Sequence, residues 1–227
     1  MTFFKRYKGL YIIICILIII NILLVNINNT YTNEAKKVKE KINIDTFYYD
    51  NTKGNMHYLN IVFSNENTLI GNFVKFITDC NYNHVAFALD NDLSEIYSFV
   101  GYKNNKTNCY KTGFNYRSIA DYPNDTLLSI ITLKISNNDY NNIKQFISDT
   151  YYDETATYNY SLILPSIFKI KIGINNNNDY ICCTFVAKIL SLLDNNIINK
   201  NHNLYSIKDV YNLLLKQNIQ PQNFIKQ

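Results

Sequence analysis

The sequence has no tryptophan, only three prolines and only six glycines in 227 residues. So little Pro and Gly excludes collagen-like and Pro/Gly-rich disordered chains. No run of five or six basic residues occurs, and the net charge is only +4, so a nucleic-acid-binding role has no basis. The five cysteines show no C-x-x-C spacing and no histidines at ligand spacing, which argues against a zinc site; no metal or cofactor is expected. Histidine is also scarce, with His57, His84 and His202 the whole set. What is abundant is hydrophobic content, 47%, enough for a sizeable core. Asparagine is frequent but scattered along the chain, which reads as compositional bias rather than as a prion-like tract.

One apolar run stands apart. Leu10 to Val25 is interrupted only by Tyr11 and Asn21, and Lys5, Arg6 and Lys8 precede it. Extended to Ile27 it reaches the roughly 17 to 20 residues that cross a bilayer. The expectation is an uncleaved signal anchor over 1–28, because no small-x-small cleavage site follows. The basic residues before it favour an inside N-terminus and an extracytoplasmic domain in a single-pass cell-membrane protein. Residues 29–45 read as a polar stalk and 46–227 as the globular domain. A Cys80–Cys109 disulfide is open if that domain lies outside the cell.

The domain reads as α+β. Strands are expected at Tyr58–Phe63, His84–Leu89, Leu93–Val100 and Leu127–Ile135. Helices are expected at Asn67–Thr78, Ser136–Thr150 and Tyr180–Asp194, with a last one starting at Ser206. Residues 101–125 look like loop, and Tyr158–Ile170 like a helix broken at Pro165.

The chemistry-bearing candidates emerge from that layout. Asp179 is the expected N-cap of the Tyr180–Asp194 helix, which puts Cys182 in its first turn. Phe185, Val186, Ile189, Leu190 and Leu193 follow Cys182 at helical spacing, so its side chain faces the core side; Cys183 is turned about 100° away. A helix N-terminus favours a thiolate and offers N–H groups to an oxyanion. Such a cysteine alone reads first as inert packing. His57 and His202 read as surface residues, whereas His84 opens an apolar strand and is the candidate base. A thiol catalyst also needs a group that orients the imidazole. A hairpin loop at Asp90–Asp92 places His84 opposite Ser98; a two-residue loop places it opposite Phe99, with Ser98 adjacent. Glu95 is the better chemical orienter but pairs with Phe87 or Ala88, roughly 10 to 13 Å along the strand.

These residues carry a resemblance. Tyr82-Asn83-His84-Val85, Leu89-Asp90, Glu95-Ile96-Tyr97-Ser98-Phe99 and Tyr180-Ile181-Cys182-Cys183-Thr184-Phe185-Val186-Ala187 together resemble the permuted papain-like branch of the NlpC/P60 superfamily, the YiiX/YaeF-like cysteine hydrolases. Phe63-Ser64, Thr68-Leu69-Ile70-Gly71 and Ser206-Ile207-Lys208-Asp209 add to it, over roughly residues 57 to 215. The resemblance implies a circularly permuted papain-like fold, with an antiparallel sheet packed on the cysteine helix. It implies Cys182 as nucleophile and His84 as general base. Ser98 stands where many relatives carry an acid on the strand after the histidine, and Glu95 is the alternative orienter. The implied activity is amide hydrolysis through an acyl-thioenzyme, on a peptide or peptidoglycan fragment. The alternatives are a lipid-directed acyl hydrolase or acyltransferase, and a silent binding protein with the same fold.

Overall fold

The computed structural model describes residues 19–20, 22, 57–104, 109–153, 155–171, 178–194, 197–199 and 201–227. The expected anchor, except for helical Ile19, Ile20 and Ile22, and the expected stalk lie outside the described residues. Among the described residues, no helix is long and apolar enough to cross a membrane.

The domain is α+β. Its sheet is built from β1 (His57–Asn65), β2 (His84–Ala88), β3 (Ile96–Asn104), β4 (Cys109–Arg117), β5 (Leu127–Ile135) and β8 (Gln222–Ile225), in the order β4-β3-β2-β1-β5-β8. Every pairing in it is antiparallel. A short parallel pair, β6 (Thr157–Tyr158) with β7 (Asp179–Tyr180), stands beside it. The helices are α1 (Leu69–Thr78), α2 (Asn137–Tyr152), α3 (Ile163–Phe168), α4 (Cys182–Leu190) and α5 (Ile207–Leu215).

Strand alternation sends side chains to two cores. Phe63, Val85, Phe87, Tyr97, Phe99 and Ile131 point to the helix-covered face, where Phe185 of α4 packs within ring-centroid distances of 4.6 Å of Phe99 and 5.7 Å of Phe87. Val62, Ala86, Ala88, Ile96, Leu128 and Ile130 point to the other face, under Leu93 and Tyr122. Both faces of β2 are therefore buried, which explains its unbroken Val-Ala-Phe-Ala run.

Helix starts follow their caps. Ser136 and Ser206 each receive the N3 backbone N–H on the side chain, and Asp139 and Asp209 reach back to the cap N–H. Thr68 caps α1. Pro165 lies inside α3 rather than breaking it, because it falls in the first turn, where its missing N–H has no intrahelical partner to lose.

Four expectations are corrected. Residues 101–125 are only partly loop: β3 runs on to Asn104 and β4 covers Cys109–Arg117 at one edge of the sheet, leaving Ser118–Asp125 as a 3-10 turn and loop. That stretch is rich in Lys and Asn because it is an edge, and its pairing supplies what its composition does not. Asp179 is not the cap of the cysteine helix. It lies in β7, where its carboxylate accepts from Thr157 Oγ1 at 2.7 Å and Asn159 Nδ2 at 3.0 Å, and Ile181 takes the cap position. His57 is no surface residue; it is buried and stacked on Tyr140 at 3.8 Å. His202 is likewise packed, its ring 6.1 Å from that of Tyr180.

Candidate active site

Cys182 is the first residue of α4, and the chain reaches it from β7. The β6–β7 pairing fixes that approach, with Tyr158 opposite Tyr180, two residues before the thiol. Ile181 has no side-chain acceptor to cap the first turn; instead its N–H donates to Thr184 Oγ1 at 2.9 Å. The first-turn N–H groups therefore carry no side-chain cap, in the turn that Cys182 opens. Cys182 is only 6% exposed.

His84 opens β2 opposite Ser64 of β1. It lines, with Cys182, a cleft of about 890 Å³. The two side chains interact, and each pulls the other's titration. Cys182 is held well below the ordinary thiol range, first by the Cys183 thiol hydrogen-bonded to it, then, against the opposing cost of burial, by the hydrogen bond and charge of His84 and the Val85 backbone. Burial alone would lower His84, but the charge of Glu66 and the interaction with Cys182 raise it above the ordinary histidine value. Burial pushes Cys183 well up, so it is the proton-keeping member of the adjacent pair. His84 Nε2 is out of solvent with no protein hydrogen-bond partner, and an unpartnered nitrogen can take or give a proton.

The expected orienters lie elsewhere. In β2–β3, Phe87 pairs with Tyr97 and Ala88 with Ile96. This register is one step beyond the two-residue hairpin loop and two steps beyond the Asp90–Asp92 loop, because the connection spans Leu89 to Glu95 with Leu93 at a positive φ of 54°. Ser98 falls level with Ala86 and pairs on its other side with Asn115. Glu95 lies one step past Ala88 and accepts from Tyr97 Oη at 2.6 Å. Neither of them is level with His84.

Three cleft residues escaped the sequence reading. Glu66 follows β1 and takes hydrogen bonds from Ser64 Oγ at 3.0 Å and from the Arg117 guanidinium. Burial raises its carboxyl, but His84 and Arg117 outweigh it and hold it below the ordinary carboxylate value. Arg117 stacks over the Tyr122 ring at 3.6 Å. Tyr158 is the third: burial drives its phenol well up, and the charge of Cys182 adds to it. One signal was available: Arg117 is one of two arginines in a chain that otherwise uses lysine, and arginine is the residue suited to a fixed carboxylate partner. Glu66 and Tyr158 gave none, since both depend on pairings distant in sequence.

Gly71 shows how tightly this end is built. A Cβ there would come within 2.6 Å of Asn83 Nδ2 and of Thr68 Oγ1, so α1 lies directly on the residue before His84. Among the described residues, no His, Cys, Asp and Glu cluster could hold a metal ion. Cys80 is a free thiol, and burial raises it. Comparison of the chain with family models, with curated proteins and with solved structures finds no match.

Proposed function

We propose that this protein is a thiol hydrolase of the permuted papain-like kind, with Cys182 as nucleophile and His84 as base. The observation that carries the reading is the coupled pair itself: a depressed thiol at a helix start beside a raised imidazole, both in one cleft. Packing alone gives no reason for the two shifts to run in opposite, mutually supporting directions.

In the reaction, His84 takes the Cys182 proton and the sulfur attacks a substrate carbonyl carbon. The first-turn N–H groups of α4 and the Tyr158 hydroxyl are suited to the oxygen that gains charge. Collapse of the tetrahedral species breaks the bond to the leaving group, which receives the proton from His84. Water then adds to the acyl-thioenzyme, with His84 as its base, and the acid leaves as the thiol reforms.

The substrate proposed first is an amide in a peptide, of the cell-wall type. An acyl ester or thioester is the second reading, favoured by the aliphatic cleft wall of Ile163, Ile167, Ile181 and Ile207. The N-terminal apolar run supports tethering at a membrane with the domain outside.

The test is alkylation of the 227-residue chain by a small haloacetamide near pH 6, with each modified cysteine mapped. Cys182 is expected to react far faster than Cys80, and Cys182→Ala to lose both this labelling and all hydrolysis. Equal rates at Cys182 and Cys80 would sink the reading and leave a silent binding protein.

A further inference from the structure

We propose that Glu66 is the positioning carboxylate of the Cys182–His84 site, acting from the turn after β1 where the strand after the histidine offers only Ser98. The inference rests on the thiol-hydrolase reading.

The geometry ties Glu66 to both sides of His84. Ser64 is the register partner of His84, and its Oγ donates to Glu66 Oε1 at 3.0 Å. Asn83, the residue just before His84, holds the Glu66 backbone twice: its Oδ1 accepts from Glu66 N at 2.8 Å and its Nδ2 donates to Glu66 O at 2.6 Å. Arg117 of β4 donates to the same Oε1. A carboxylate held by Ser64 and Arg117, on a backbone held by Asn83, loses little entropy when the imidazole becomes charged, because nothing has to be ordered at that moment. Asn83 and Ser64 therefore fix where the acid stands, and His84 and Arg117 together keep it ionised.

The charged groups facing each member are few. His84 faces Glu66 from the β1 turn, Arg117 from β4 and Cys182 from α4. Cys182 faces His84 and Cys183, with the Tyr158 phenol beside it. Of these, Glu66 is the group whose negative charge supports an imidazolium without competing for the substrate carbonyl. It raises His84 while Arg117 lowers it, and the net direction is upward. A supported imidazolium in turn supports the thiolate.

A packing role and a positioning role separate in the pH profile of Cys182 alkylation in the full chain. In Glu66→Gln, the midpoint at which Cys182 becomes reactive is expected to move up, and the rate below it to fall about tenfold for each unit of movement. Glu66→Asp keeps the charge and is expected to stay close to wild type, and Ser98→Ala to match it. A folded Glu66→Gln protein with the wild-type profile would overturn the proposal. Should that variant fail to fold, Glu66→Gln combined with Arg117→Met removes both charges, so that no unpaired ion stays buried, and is read in the same way. If instead wild-type Cys182 reacts no faster than Cys80, the hydrolase reading itself fails and this inference falls with it.

Discussion

The two ends of β2 each gather carboxylates, and they treat them in opposite ways. At the His84 end, Glu66 meets Arg117 and His84 and is held below its ordinary value despite burial. At the hairpin end, Asp90 and Glu95 are raised: burial leads, and nearby carboxylates add to it against the hydrogen bonds from Ser94 and Tyr97. The strand between them is five residues long. Burial works against ionisation in all three, so the counter-charge makes the difference. An acid that must stay ionised next to a base needs a cation of its own; an acid that closes a turn does not.

The strongest way to break this contrast is to remove the cation. Arg117→Met leaves Glu66 partly buried without its partner. The two side chains are 22% and 24% exposed, so the expected loss is about 2 to 4 kcal/mol, somewhat below that of a fully buried pair. Urea unfolding at neutral pH measures it. The pH dependence carries a second mark. Glu66 is depressed in the fold, so its contribution is present above the ordinary value of 4.5 and is lost as pH falls through the lower folded value. That acid-side loss is expected to shrink in Arg117→Met. An unchanged curve would mean that Arg117 serves only to pack on Tyr122.

How far the sequence foretold these ends follows from the range of the interactions. β5 was legible residue for residue, and the helix starts at Ser136 and Ser206 were legible too, because such signals lie within four residues of one another. His84 and Cys182 were legible as separate candidates from strand and helix patterning, and the structure sets them in one cleft. The orienter was not legible. It depended on the β2–β3 register, which a seven-residue connection with Leu93 at positive φ shifted by one step from the two-residue loop and by two from the three-residue loop, and a slip of even one step moves every side chain. Glu66 meets Arg117 across 51 positions, and β4, which brings Arg117 there, lacks the β-branched pattern of a central strand. The C-terminal strand β8, exposed throughout, was missed for the same reason.

Histidines offer a second form of the contrast. His84 is raised by a facing acid, whereas His202 is lowered to about 4, mainly by burial and then by the charge of Lys188. Between pH 6.5 and about 4 the unfolded chain binds a proton at His202 that the folded chain refuses, so stability falls as the pH drops through that window. The ceiling is ~3 kcal/mol. His202→Gln is expected to flatten this part of the stability–pH curve and to leave Cys182 labelling unchanged. A curve as steep as wild type would move the acid sensitivity to other groups.

The smallest effect belongs to the hairpin end and has the opposite sign. Glu95 is raised in the fold, first by burial and then by Asp90 and Asp92, so above its folded value its charge works against folding. Gln keeps an oxygen for the bond from Tyr97 Oη, now 2.6 Å from the carboxylate, and removes the charge. Glu95→Gln is therefore expected to raise stability slightly at neutral pH, with the gain vanishing as the medium is acidified past the ordinary carboxylate range. Cys182 reactivity should not change, since Glu95 lies beyond the far end of β2 from His84. A drop in that reactivity would restore Glu95 as an orienter and erase the difference between the two ends. A gain in stability with unchanged labelling sharpens it: the same side chain is then support at one end of the strand and a burden at the other, according to whether an arginine faces it.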